Sequence, residues 1–222
     1  MHWKDVPIHV VDFEGSRQSG VVEFGLVTLW DGDIASCSTR LCRPQGEITP
    51  QERAQHGIVE DEARLFEPFA AEWERFTSLR AKGPMAAHHA MVENGFLKAQ
   101  WPYPPASPDF LHEGRTVADW GPWIDTRQLY ARVYPDLNGY GLSELIGTFG
   151  LQERLDEEAA RHCPERRGKY HCALYDTLAS ALLLLHLGAQ EGFEHMSIPW
   201  LITQSQASVD KRQEARQGGF FE

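Results

Sequence analysis

The chain has 222 residues, 42% hydrophobic and 24% charged, amounts that suit one well-cored domain and leave no low-complexity tract. With 21 basic against 32 acidic side chains the formal charge is −11, the wrong sign for a protein that coats long nucleic acid, so any such contact must be local. The first apolar run, Val6 to Phe13, is too short to span a membrane and is closed by two acids, so a cytoplasmic protein without membrane attachment is the expectation.

In chain order, residues 7 to 13 read as a buried strand and residues 21 to 30 as a second, rich in β-branched and aromatic side chains. Asp31-Gly32-Asp33 is a hairpin signal leading into a third strand over 34 to 42. Thr49-Pro50 with Glu52 marks a helix start, and residues 66 to 80 place Phe66, Phe69, Ala70, Trp73, Phe76 and Leu79 at helical spacing. A short strand over 84 to 90 precedes a helix from about Val92, an order that implies parallel pairing. Residues 101 to 122, full of prolines and aromatics without periodicity, read as a loop insertion. Beyond it come a strand over Trp123 to Thr126, helices over 127 to 134 and 142 to 149, and an apolar helix over 172 to 188. The expected organisation is one domain over 1–196 and a C-terminal extension over 197–222.

Asp12 and Glu14 stand two residues apart at the end of the first strand, on one face of it. Carboxylates held that close repel unless a cation lies between them, and hard oxygen ligands suit Mg²⁺ or Mn²⁺. Two solvated acids at an exposed strand end read equally well from this pair alone. His171 and Asp176, five residues apart near the start of the apolar helix, change that balance.

Val11-Asp-Phe-Glu14 resembles the first motif of the DEDDh 3′-5′ exonucleases, the superfamily of RNase T and the proofreading subunit of DNA polymerase III, and His171 to Asp176 resembles the third. Between them Ala87 to Leu97 is similar to the second motif, with Glu93 where the family usually has aspartate. Val22-Glu-Phe-Gly25, His56-Gly57-Ile58 and Ile124-Asp-Thr126 extend the resemblance over residues 6 to 188. It implies an α/β, ribonuclease-H-like fold: a mixed five-stranded sheet, second strand antiparallel, flanked by helices. It also implies two divalent ions about 3.5 to 4 Å apart across the scissile phosphate. Asp12 would bridge them, Glu14 and Asp176 would complete the first site, and Glu93 would support the site or the second ion. His171 would accept a proton from the attacking water, a task suited to an imidazole. His89 stands where the family favours asparagine, and Gly15 where it favours threonine; both bear on substrate contacts.

Arg166, Arg167 and Lys169, with Arg161, form a basic cluster leading into His171, and read equally as phosphate contacts or as a solvated loop. Trp101, Tyr103, Trp120 and Trp123 read as core or loop packing before base-stacking platforms. Asp125-Thr126 reads as a turn or helix cap, and His88 as structural. Cys37, Cys42, Cys163 and Cys172 contain no CxxC pair and read as buried thiols, not zinc ligands. The implied partner is a single-stranded DNA or RNA 3′ end, or a short oligonucleotide, which the acidity mildly favours because tiny substrates need few phosphate contacts. A homodimer or a polymerase-type partner is left open. The alternative reading is a catalytically weakened nucleic-acid-binding or scaffold subunit, resting on Glu93.

Overall fold

In the structure, a computed structural model that describes residues 1–206, three strands open the chain: β1 (Ile8–Ser16), β2 (Gly20–Trp30) and β3 (Asp33–Leu41). Helix α1 (Pro50–His56) starts where expected, at a capping box: the Glu52 N–H donates to the Thr49 hydroxyl at 3.2 Å, and the Thr49 N–H to the Glu52 carboxylate at 2.8 Å. A four-residue turn, α2 (Glu60–Ala63), then leads to α3 (Trp73–Lys82). The helical spacing seen over 66 to 80 is not one helix. Pro68 cannot donate to a helical ladder, residues 69–72 make a 3-10 turn, and the regular helix starts at Trp73.

The chain continues through β4 (Met85–Ala87), α4 (Ala90–Gln100), the two-residue strands β5 (Ser107–Pro108) and β6 (Thr116–Val117), β7 (Trp123–Asp125) and α5 (Thr126–Val133). It ends in α6 (Leu142–Thr148), α7 (Gln152–His162), α8 (Ala173–Gly188) and α9 (Ile198–Gln204). Two of these helices give little sequence signal. In α7 only Leu155 and Ala159 are buried, so its apolar stripe is too thin to stand out among the charges. In α9, Ser197 accepts the Trp200 N–H at 3.2 Å, and Ile198, Leu201 and Ile202 join the main core. The folded body thus continues past residue 196 into the stretch read as an extension; the rest of that stretch, 207–222, lies outside the described residues.

The five-stranded sheet has the order β3-β2-β1-β4-β7. β2 pairs antiparallel with both β1 and β3, while β4 pairs parallel with β1 and β7, so the second strand alone runs against the rest. This is the mixed sheet that the motifs implied. Alternation along β1 divides the core in two. Ile8 and Val10 face α5 to α9, and Val11 and Phe13 face α3, α4 and the 101–122 segment. That segment carries the β5–β6 ribbon and is held from below by Arg80, 1% exposed, whose guanidinium donates to the carbonyls of Pro108 (2.9 Å), Trp120 (3.1 Å) and Gly121 (2.6 Å). Trp101 and Trp120 are core residues beside Phe69 and Phe76, Trp123 is half-buried, and Tyr103 is 89% exposed. Among the described residues, no helix is long and apolar enough to cross a membrane.

Helix α8 lies directly on β2 because Gly25 has no side chain. A Cβ there would sit 2.2 Å from the Ala173 carbonyl oxygen and 2.3 Å from Thr177 Oγ1. Gly25→Ala should therefore lower stability by about 1–3 kcal/mol, measured by urea unfolding; an unchanged midpoint would show that the helix can shift away freely.

Candidate active site

Asp12 pairs across the sheet with Gly25, and Asp12 and Glu14 share the strand face of Ile8 and Val10, toward α8. The close approach of α8 at Gly25 thus brings Asp176, in the first turn of α8, over the end of β1. Glu93 arrives from the other side. β4 pairs with β1 only at His9 and Val10, so farther along that edge the Phe13 N–H has no strand partner, and Glu93 Oε2 accepts it at 3.1 Å. The added methylene of glutamate is taken up by this bond, which ties α4 to the strand bearing Asp12.

His171 sits in the left-handed region at φ 63°, exposed at the mouth. Its backbone N–H donates to Asp176 Oδ2 at 2.9 Å, and its Nδ1 lies 3.5 Å from the Gln55 amide nitrogen on α1. Glu14, His171 and Asp176 offer ligand atoms that all lie within 4.8 Å of one another.

Glu23 is a member of this cluster that the sequence reading left among resemblance residues. Its carboxylate, on β2, accepts the Ala173 N–H at 2.9 Å at the start of α8, and forms a bidentate pair with Arg167, with the Nε bond at 2.8 Å. Arg167 also donates to the His56 carbonyl at 3.0 Å. Its fork is therefore committed to fixing the loop before His171, while Arg166 and Lys169 are exposed. The invariant need for a counter-ion beside a buried glutamate is a tertiary effect that no local spacing announces.

Asp125 caps α5 through the Gln128 N–H at 3.0 Å and also receives the Ala90 N–H at 2.8 Å and the His89 N–H at 3.3 Å, joining the starts of α4 and α5. His89 itself is exposed and left-handed at φ 76°. His88 is held by Thr126 Oγ1 (2.9 Å) and the Tyr140 carbonyl (3.0 Å), a structural placement. All four cysteines are free thiols, and among the described residues none joins a cluster able to hold a metal.

Electrostatics follow from crowding. Burial first, then Glu93, Asp176, Glu14 and Glu23, push the Asp12 carboxyl well above its ordinary range. Burial, Asp176 and Glu23 push Glu14 up to about 8 against the pull of Arg167. Burial raises Asp176 to about 7, and burial also lifts Glu93 far above the ordinary value despite the Phe13 bond. Asp176 Oδ1 is buried without a hydrogen-bond partner. An unpartnered carboxylate oxygen inside a cluster of acids that disfavours its own ionisation fits a hard divalent cation.

No family model matches the chain, and no curated protein sequence matches it. Solved structures do. Exonuclease X in complex with 5′-overhanging duplex DNA superposes with a TM-score of 0.62 and 24% identity over 90% of this chain and 99% of that one. A 3′-exonuclease, from a structure of 3′-end-specific recognition of a histone mRNA stem-loop, gives 0.64 and 16% over 88% and 67%. An exonuclease I from Methylocaldum szegediense gives 0.58 and 15%, this chain spanning 42% of that longer one. The chain thus has the ribonuclease-H-like fold found in DEDDh 3′-exonucleases.

Two outcomes are expected here. The raised carboxyls favour the fold when protonated, a contribution fully present below their unfolded values near 4 and lost as pH rises through about 7 for Asp176 and about 8 for Glu14. The melting temperature of metal-free protein should therefore fall between about pH 4 and 8, and added Mg²⁺ or Mn²⁺ should restore it chiefly at the alkaline end. A flat profile with and without ions would contradict the crowding. Separately, Arg167→Met leaves Glu23, 3% exposed at its side chain, without its cation and should cost roughly 3 kcal/mol in chemical unfolding; a variant as stable as wild type would make Arg167 a ligand contact after all.

Proposed function

We propose that this chain is a metal-dependent 3′-5′ exonuclease acting on single-stranded nucleic-acid 3′ ends. The observation that carries the reading is the convergence of Asp12, Glu14, Glu93 and Asp176 beside His171 in a fold shared with 3′-exonucleases. Asp12, Glu14 and Asp176 would hold one ion, and Asp12 with Glu93 a second. Bound there, two Mg²⁺ or Mn²⁺ ions supply Lewis acidity toward the attacking water and the leaving 3′ oxygen.

The chain's own groups do the rest. Asp176 keeps Oδ1 free because its other oxygen is used by the His171 N–H, which also fixes where the imidazole stands. The imidazole accepts the proton of the attacking water as the water oxygen bonds to phosphorus and the bond to the 3′ oxygen breaks. A nucleoside 5′-monophosphate leaves, and the shortened strand carries a new 3′ hydroxyl after protonation from solvent. Arg166 and Lys169, exposed on the loop before His171, meet backbone phosphates. His89, exposed ahead of α4, meets the sugar or base. Similar folds solved with 5′-overhanging duplex DNA and with a histone mRNA stem-loop support a nucleic-acid substrate.

Wild type should shorten free 3′ ends stepwise with Mg²⁺ or Mn²⁺, leave 3′-blocked strands intact and stop with chelator. Asp12→Ala should lose activity by on the order of a thousandfold, while Glu93→Asp should retain or gain Mg²⁺-supported cleavage. Equal inertness of wild type and Asp12→Ala on DNA and RNA would favour the weakened, nucleic-acid-binding subunit instead.

A further inference from the structure

The sequence has two asparagines, Asn94 and Asn138, and a glycine follows each. That pairing suits one spontaneous reaction, because glycine puts no side chain in the way of its own nitrogen and leaves the backbone free to turn. The glycine nitrogen attacks the side-chain carbonyl carbon of the asparagine, the bond to the amide nitrogen breaks, and ammonia leaves with the proton of the backbone N–H. Water then opens the cyclic imide at either carbonyl, giving aspartate or isoaspartate. The step needs a glycine N–H without a partner, a backbone able to bring it onto the side chain, and access for water.

The fold treats the two sites oppositely. Asn94 lies inside α4, one residue past Glu93, where helical geometry directs the Gly95 N–H along the axis to the Met91 carbonyl and away from the Asn94 side chain, whose Oδ1 is buried. Asn138 is exposed between α5 and α6, outside any helix or strand, and lines a surface hollow of about 480 Å³. Among the described residues the Gly139 N–H meets no acceptor. Its neighbours make the bonds of the segment: the Leu137 N–H reaches the Tyr134 carbonyl at 3.4 Å, and the Gly141 N–H reaches Glu144 Oε2 at 2.8 Å.

We propose that Asn138 is a site of spontaneous deamidation and isoaspartate formation, and that α4 closes Asn94 to the same chemistry. The new carboxylate arrives beside Asp136 and Glu144, which line the same hollow. Isoaspartate also adds a main-chain carbon between residues 138 and 139, close to Tyr140. The Tyr140 carbonyl accepts the His88 Nε2–H at 3.0 Å, one residue ahead of the His89 that begins α4. Modification at Asn138 therefore loosens the tie on the amino end of α4, while the asparagine next to Glu93 is spared. This chemistry needs only the folded chain and water, and holds whether or not the chain is a nuclease.

The test ages the full chain in warm, mildly alkaline buffer, folded and in guanidinium chloride, and follows both asparagine peptides by mass while an isoaspartyl methyltransferase counts isoaspartate. In the folded chain the Asn138 peptide should gain the mass of an amide-to-acid exchange, with ammonia released in equal amount. Asn94 should convert at least about a hundredfold more slowly, because reaction there waits on rare opening of the helix. In denaturant the two rates should agree to within a factor of about three, since the helix no longer shields one of them. Asn138→Gln, whose longer side chain disfavours ring closure, should lose the folded-state conversion, and its melting temperature establishes that it is folded. The isoaspartate form, separated by its extra charge, should melt about 2–4 °C below the unmodified chain. An Asn138 amide that survives in the folded chain while converting in denaturant overturns the site, as does equal conversion of Asn94 and Asn138 in the folded chain. An unchanged melting temperature overturns the path through Tyr140 to α4.

Discussion

The contact between α8 and the sheet at Gly25 governs how the rest of the molecule is arranged. With no side chain between them, the first turn of the helix rests on β2 opposite Asp12, and Asp176 is delivered to the strand end from which Asp12 and Glu14 project. Glu23, two residues before Gly25 on the same strand, then receives the Ala173 N–H and the Arg167 fork. One short stretch of β2 therefore places a carboxylate, anchors a helix start and fixes the loop before His171. Neither bond holds if the helix stands off by the width of a methyl group.

That closeness has an electrostatic cost. Four carboxylates and Glu23 share a volume in which Arg167 is the cation that draws Glu14 back down, and its bonds are spent on Glu23 and a carbonyl. The raised carboxyl groups are the visible consequence. Local strain accompanies them: His171 and His89 both hold left-handed backbone, which non-glycine residues adopt at a cost, and both flank the site. A fold tolerates such features where something outside the chain completes them.

How much of this could be read beforehand depends on the reach of each signal. The mixed sheet with its antiparallel second strand, the helix start at Thr49-Pro50, and the positions of Asp12, Glu14, Glu93, His171 and Asp176 all rest on short spacings or ordered motifs, and the structure brings the five residues into one place. Helix α7 was opaque because two buried side chains make no periodicity. Helix α9 was opaque because seven residues are too few to show one. The roles of Glu23 and Arg167 were opaque because the partners are 144 positions apart, and a basic run looks the same whether it faces phosphate or a buried acid. Pro68 shows the opposite failure, an apolar spacing that continues across a residue unable to continue the helix.

Arg80 carries a last implication. By giving one buried guanidinium to three carbonyls of the 101–122 segment, the framework secures that excursion through main-chain atoms and asks nothing of the side chains that the segment shows to solvent. The outer residues, Tyr103 among them, can thus be exchanged without loosening the path of the chain. The segment is a platform whose path is set by one buried cation, and whose outward side chains lie outside that constraint.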